Sequence, residues 1–188
     1  MSLKLLKESL KKSPIIKKDK YDYFVHPITD GIPEIKPKLL DEITDEILKK
    51  IEKIEKIDRI VTMEAMGIPI ATNVSKKMNL PFTIIRKRSY SLPGEISVKQ
   101  ITGYSKTNLY INGIKENENI IIVDDVLSTG GTLKAVLQAL DNINVSVKKV
   151  IVAIDKSNIA EALSKKFNTE IEGLVRVKIK NSKVLIKK

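Results

Sequence analysis

The stretch 120–133 constrains this chain more than any other. Four branched apolar residues, Ile120, Ile121, Ile122 and Val123, run directly into Asp124-Asp125, and a Ser128-Thr129-Gly130-Gly131-Thr132 turn leads into apolar positions at helical spacing through 140. An uninterrupted branched run suits a strand covered on both faces, as in parallel sheets. Two adjacent carboxylates do not belong in an apolar layer, so they predict where the strand leaves the sheet. Glycines let the backbone approach a ligand closely and adopt positive φ. The free N–H groups of the following helix start cradle an anion. Carboxylates just ahead of such a turn accept hydrogen bonds from vicinal hydroxyls or hold Mg²⁺, directly or through water. A phosphorylated sugar engages both halves at once. The turn lacks the lysine of G-x-x-x-x-G-K-[ST], which argues against a nucleoside triphosphatase. A plain helix start capped by Ser128 or Thr129 explains neither the paired carboxylates nor the paired glycines.

A length of 188 residues predicts a single domain, 1–188, with a sizeable core. The absence of cysteine excludes disulfides, thiolate nucleophiles and cysteine metal clusters, and a lone His26 argues against histidine-rich zinc sites. No apolar run reaches membrane-spanning length and no signal peptide is evident, so a soluble, cytoplasmic protein without a membrane partner is expected. Lys and Arg number 34 against 23 Asp and Glu, a net charge of +11. Much of that charge alternates with acid, as in 49–56, and reads as solvated helix faces. Aromatic residues are 4% of the chain and are not interleaved with the basic ones, so nucleic acid is not expected as a partner. Excess positive charge suits polyphosphate substrates equally well.

Read in order, 2–12 is an amphipathic helix and 22–33 an irregular covering segment. Residues 38–56 carry Ile and Leu at helical spacing and predict a long helix. Residues 58–63 form a strand, 68–78 a helix with Pro69 in its first turn, and 81–86 a second strand, completing a βαβ unit. The polar segment 87–108, with Pro93, Gly94 and Gly103, is too long for a simple turn. A short strand at 109–111, the acidic-pair strand and helix, a strand at 147–154, a helix at 159–167 and two final strands follow. This alternation predicts an α/β fold with an open, mostly parallel sheet flanked by helices, and a site built from loops at the carboxyl strand ends.

The apolar run, acidic pair and T-G-G-T turn resemble the phosphoribosyl-pyrophosphate signature of type I phosphoribosyltransferases. The likeness extends along nearly the whole chain. It lies in the branch of xanthine and adenine enzymes and is greatest toward archaeal hypoxanthine/guanine phosphoribosyltransferases. It implies transfer of phosphoribose from phosphoribosyl pyrophosphate to a purine, with Mg²⁺ as cofactor and a homodimeric assembly. By resemblance, Asp124 and Asp125 take the ribose hydroxyls and the metal, and Leu127, Ser128, Thr129, Gly130, Gly131 and Thr132 hold the 5′-phosphate. The loop Ala65, Met66 and Gly67 meets pyrophosphate, with Met66 where adenine enzymes carry Arg, and Lys87 is a further pyrophosphate contact. Residues 20–35 become a hood over the purine, with Phe24 and Val126 as apolar walls and His26 as a stabilising residue.

Residues 89–106 match a mobile lid, with Glu95, Ser97, Lys99 and Tyr104 as its polar candidates. Such a lid keeps water from an oxocarbenium-like centre. Lys156, just past the 147–154 strand, can donate to the exocyclic oxygen of hypoxanthine, guanine or xanthine, whereas the amino group of adenine opposes donor to donor. Mammalian-type hypoxanthine/guanine enzymes carry Asp where Ser128 stands, which leaves the general base unassigned and puts weight on positioning and electrostatics. The rival expectations are adenine or xanthine specificity, and a regulator that senses phosphoribosyl pyrophosphate without turnover. The regulator normally carries a helix-turn-helix domain, for which the segment before the hood is too short.

Overall fold

The computed structural model describes residues 3–18, 21–101 and 106–187. Helix α1 (Lys4–Lys11) leads into a ribbon of β1 (Ile15–Lys18) and β2 (Tyr21–Phe24), then a single turn, α2 (Pro27–Asp30), and α3 (Pro37–Ile51). Next come β3 (Arg59–Met63), α4 (Gly67–Met78), β4 (Phe82–Ile85), and a second antiparallel ribbon of β5 (Ile96–Ile101) and β6 (Lys106–Ile111). The rest is β7 (Asn119–Leu127), α5 (Gly131–Asp141), β8 (Ser146–Asp155), α6 (Ala160–Phe167), β9 (Glu170–Lys180) and β10 (Lys183–Ile186).

Six strands form the central sheet in the order β10-β9-β8-β7-β3-β4, and within it only β10 runs antiparallel to its neighbour. The chain moves outward from β3 to β4 on one side and from β7 to β10 on the other. The reversal falls between β3 and β7, and crevices form at the carboxyl ends of strands at such a point.

The branched run of β7 serves both layers of the core. Ile121 and Val123 join Leu6, Ile43, Ile47, Ile70 and Val74 of α1, α3 and α4. Ile120 and Ile122 join Leu133, Val136, Leu137 and Leu140 of α5, together with Val98 and Leu109 of the second ribbon. Each fully buried branched side chain contributes about 1.5–3 kcal/mol, so this one strand anchors both faces.

Several local expectations require correction. The strand does not leave the sheet at the acidic pair: β7 continues through Asp124 and Asp125 to Leu127, because β8 extends equally far and pairs Asp124 with Val152 and Leu127 with Asp155. The helix read across 38–56 ends at Ile51, since Ile54 and Ile57 turn back against the core and the Asp58 amide donates to the Asn119 carbonyl at 2.7 Å. The covering segment 22–33 contains the end of β2 and all of α2. Within 87–108, residues 96–101 and 106–108 belong to the β5–β6 ribbon and 87–95 lie outside helix and strand; the polar composition hides Val98, which is buried against α5. Arg86 bridges to Tyr110 and ties the base of this ribbon to the end of β4.

Candidate active site

The carboxyl ends of β3 and β7 open into a cavity of about 460 Å³. Its lining includes Tyr23, Met63, Glu64, Lys87, Asp124, Asp125, Val126, Leu127, Ser128, Thr129, Gly130 and Thr132. The structure therefore brings the acidic pair, the glycine turn, Val126 and Lys87 around one space. Gly131 lies beside it, in a neighbouring hollow with Lys99 and Lys134.

The turn is shaped for close approach. Gly130 has φ +71°, and a side chain there would collide with Ile159. Gly130 itself caps α5, with no side-chain cap bond, so Ser128 and Thr129 are not engaged as helix caps. The Lys134 amide makes the first backbone bond of α5, to the Gly130 carbonyl at 2.9 Å, and a helix N-terminus of this kind favours an anion.

Asp124 and Asp125 are 8% and 9% exposed. Burial, and then the charge of Asp125, push the Asp124 carboxyl well above the usual aspartate range. Burial likewise raises Asp125 to about 6, with Lys156 pulling the other way and Asp30 adding to the rise. The two side chains have different surroundings. A Cβ on Gly67 would strike both Thr62 Oγ1 and Asp124 Oδ1, so only glycine lets α4 begin there. Among the described residues, Asp124 Oδ1 and Thr62 Oγ1 are buried without a hydrogen-bond partner. Asp125 faces the hood, where Asp30 and Lys156 act on it electrostatically. An orphaned oxygen beside a second carboxylate suits Mg²⁺ or sugar hydroxyls. Among the described residues there is no cluster of three or more acidic, His or Cys ligands, so a metal there needs oxygens from water and substrate.

Lys156 follows β8, and its ammonium lies 5.0 Å from the Tyr23 ring centroid and 5.5 Å from that of Phe24. Burial lowers its pKa, while Asp30 and Asp125 act to raise it. The Asp30 carboxylate accepts from Tyr23 Oη at 2.6 Å, from Thr29 Oγ1 at 2.6 Å and from the His26 amide at 2.9 Å. His26 is fully buried; its Nδ1 accepts from the Ile28 amide at 3.1 Å and its Nε2 lies 2.8 Å from Ser9 Oγ on α1. Burial lowers its pKa to about 4, so the imidazole is neutral and links hood to helix.

Other expected residues are placed differently. Phe24, expected as an apolar wall, is 2% exposed in the core, and its neighbour Tyr23 lines the cavity instead. Ala65 is exposed and Met66 half-buried, and neither lines the cavity; the Met66 side chain would touch a Cβ on Gly31 of the hood. Glu95 does not line the cavity. Its carboxylate accepts from Ser89 Oγ, the Tyr90 amide and Asn112 Nδ2, and these bonds hold it far below the usual range, near 2. Ser97 and Lys99 are exposed on β5, and Tyr104 lies outside the described residues. Glu64, Tyr23 and Asp30 were missed. Glu64 accepts from the Lys87 amide at 2.5 Å and lies 2.6 Å from Arg86 Nε, which fixes the basic pair at the mouth of the cavity. An acid in an anion loop gives no sequence signal for that role. Nothing in the sequence separates Tyr23 from Phe24 either.

The model of the phosphoribosyl transferase domain matches residues 32–182. The chain is 51% identical over 182 residues to a hypoxanthine/guanine phosphoribosyltransferase of Methanocaldococcus infernus, covering 97% of this chain and 99% of that one. It is 47% identical to the protein of the same name from Methanothermus fervidus, covering 98% and 97%. Among solved structures, adenine phosphoribosyltransferase from Thermoanaerobacter pseudethanolicus superposes with a TM-score of 0.71 at 22% identity, covering 93% and 99%. The Leishmania tarentolae adenine enzyme gives 0.74 at 17%, covering 94% and 88%. At such identities the structural likeness concerns the fold.

Proposed function

Because this chain belongs to the phosphoribosyl transferase domain family, we propose that it is a purine salvage enzyme that transfers phosphoribose from phosphoribosyl pyrophosphate to hypoxanthine and guanine. What supports the reading is the buried acidic pair and the glycine turn on one cavity. The Lys156 ammonium lies outside its lining but 5.0 Å from the ring of Tyr23, which lines it, and acts electrostatically on Asp125.

In this reading the turn from Leu127 to Thr132 binds the 5′-phosphate through its amides. Asp124 and Asp125 accept from the ribose hydroxyls, and the raised pKa of Asp125 reflects the cost of keeping that charge buried until a ligand arrives. Lys87, held by Glu64 through its amide, offers its ammonium to pyrophosphate; the amides near Ala65, Met66 and Gly67, outside the cavity lining, are assigned to the same leaving group by family resemblance alone. The bond between ribose C1 and pyrophosphate oxygen breaks, the electron pair leaves with pyrophosphate, and a purine ring nitrogen forms the new bond to C1 as its proton passes to solvent. Asp124, through its orphaned oxygen, and Asp125 would hold Mg²⁺, which would supply charge neutralisation for the leaving group. Glu95 takes part by shaping the lid loop.

Lys156 sets the base preference. Ammonium donates only, so it pairs with the 6-oxygen of hypoxanthine or guanine and opposes the 6-amino group of adenine. A site built for one hydrogen bond rejects the analogue lacking it by up to about 10⁴. A homodimer and a cytoplasmic location, where a charged sugar phosphate is retained, belong to the same proposal. The test is a panel assay of hypoxanthine, guanine, xanthine and adenine with phosphoribosyl pyrophosphate and Mg²⁺. Preference for the two named oxopurines is expected, and preference for adenine would overturn the reading.

A further inference from the structure

Among the described residues, Asp155 is the most buried carboxylate outside the cavity, at 1% exposed, and the chemistry above does not use it. Its Oδ1 accepts from the Ser157 amide at 2.8 Å and from Ser157 Oγ at 2.7 Å. Its Oδ2 accepts from Arg176 Nε at 3.0 Å, across the β8–β9 register that pairs the two residues. The bond from the residue 155 side chain to the residue 157 amide closes a turn with Lys156 at its corner. The Lys156 amide in turn donates to the Leu127 carbonyl of the phosphate turn at 3.0 Å. Both peptides flanking Lys156 are therefore fixed.

Helix capping does not account for this. α6 begins three residues beyond Ser157, with Ile159 as its cap residue and no side-chain cap bond. The carboxylate restrains the corner that aims Lys156 at the hood.

We propose that Asp155 is a positioning residue for base recognition, with Arg176 as the counter-charge that holds its carboxylate in place. The proposal rests on the reading that Lys156 recognises the 6-oxopurine. Asp155 does not touch substrate; it directs the ammonium that does. A misplacement of about 1 Å in a positioned group is enough to cost up to 10²-fold.

The experiment measures kcat and KM for hypoxanthine and adenine, and KM for phosphoribosyl pyrophosphate, in wild type, Lys156→Ala, Asp155→Asn, Arg176→Gln and the Asp155→Asn/Arg176→Gln double variant, alongside Tm. In Asp155→Asn the amide keeps an acceptor for Ser157 but turns its NH₂ toward Arg176 Nε–H, donor against donor. Expected is a rise of about 10-fold in KM for hypoxanthine and an equal fall in the preference over adenine. The KM for phosphoribosyl pyrophosphate stays within about twofold. Arg176, whose side chain is 55% exposed, tolerates replacement, and Arg176→Gln alone raises KM about threefold; this keeps the proposal testable should Asp155→Asn fail to fold.

In the double variant the side-chain carbonyl introduced at position 176 occupies the place of Nε and accepts from the amide introduced at position 155, so KM returns toward wild type. An equal loss of kcat on every substrate, without change in preference, would mean a merely structural role and overturn the proposal. Unchanged hypoxanthine kinetics in Asp155→Asn, when Lys156→Ala is impaired, would overturn it while leaving the Lys156 reading intact. Unchanged kinetics in Lys156→Ala would remove the reading beneath it.

Discussion

Replacing Asp125 by Asn should make the unliganded protein more stable at pH 8 while destroying its activity. The Asp125 carboxyl titrates near 6 in the fold against an ordinary value of 3.8, chiefly because of burial. At 1.36 kcal/mol per pH unit, that gap is worth roughly 3 kcal/mol. The folded state binds the proton more tightly than the unfolded chain, so stability falls as pH rises from about 4 to 6, and the full cost is present above 6. Asn removes the charge and keeps the shape, and part of the gain is lost to an amide N–H₂ that the site is not built to receive. A net gain of about 1–3 kcal/mol is expected at pH 8. For a chain of this size each kcal/mol moves Tm by about 2–4 °C. Below about pH 4 the gain disappears.

The assay is urea unfolding of wild type and variant at pH 8 and pH 4, without substrates, followed by steady-state kinetics. Each lost hydrogen bond to a charged acceptor costs about 1.5–3 kcal/mol, so kcat/KM should fall by about 10- to 10²-fold for each bond lost. A variant less stable at pH 8, or a gain that is the same at both pH values, would refute the argument that burial of this charge sets the balance.

His26 carries the opposite sign. With a folded pKa near 4 against 6.5 unfolded, its stabilisation is complete above about pH 6.5 and is lost as pH falls toward 4, by up to roughly 3 kcal/mol. His26→Gln should flatten that part of the stability–pH curve relative to wild type, as measured by chemical denaturation at several pH values. Lys156→Ala should raise KM for hypoxanthine at least about 10-fold and leave turnover of adenine little changed, in steady-state kinetics with both bases. Gly67→Ala forces a methyl group against Thr62 and Asp124 and should cost about 1–3 kcal/mol along with most activity, as read by thermal unfolding and turnover. Backbone amides of 89–101 should exchange more slowly once phosphoribosyl pyrophosphate and a purine analogue are bound; exchange unchanged by ligands would count against a lid.

Local chemistry determined much of this protein in advance of any structure. The branched run 120–123 needs cover on both faces, so the parallel sheet and its flanking helices follow from it. The glycine turn and helix start were legible in the same way, because the positive φ of Gly130 and the start of α5 directly after it are local properties. The side of Lys156 was likewise legible, since a residue just past a parallel strand lies at the carboxyl edge.

What the tertiary structure alone decided depends on neighbours distant in sequence. β7 runs through its acidic pair to Leu127 only because β8 is there to pair with it. Tyr23 rather than Phe24 faces the cavity because the hood packs one ring into the core and leaves the other at the rim. The strands 96–101 and 106–111 of the polar segment pack as a ribbon because α5 offers Val98 an apolar seat. The partners of Asp155, Glu64 and Asp30 were invisible for the same reason. A carboxylate carries no mark of which donor will reach it, and Arg176 meets Asp155 only through the register of two parallel strands.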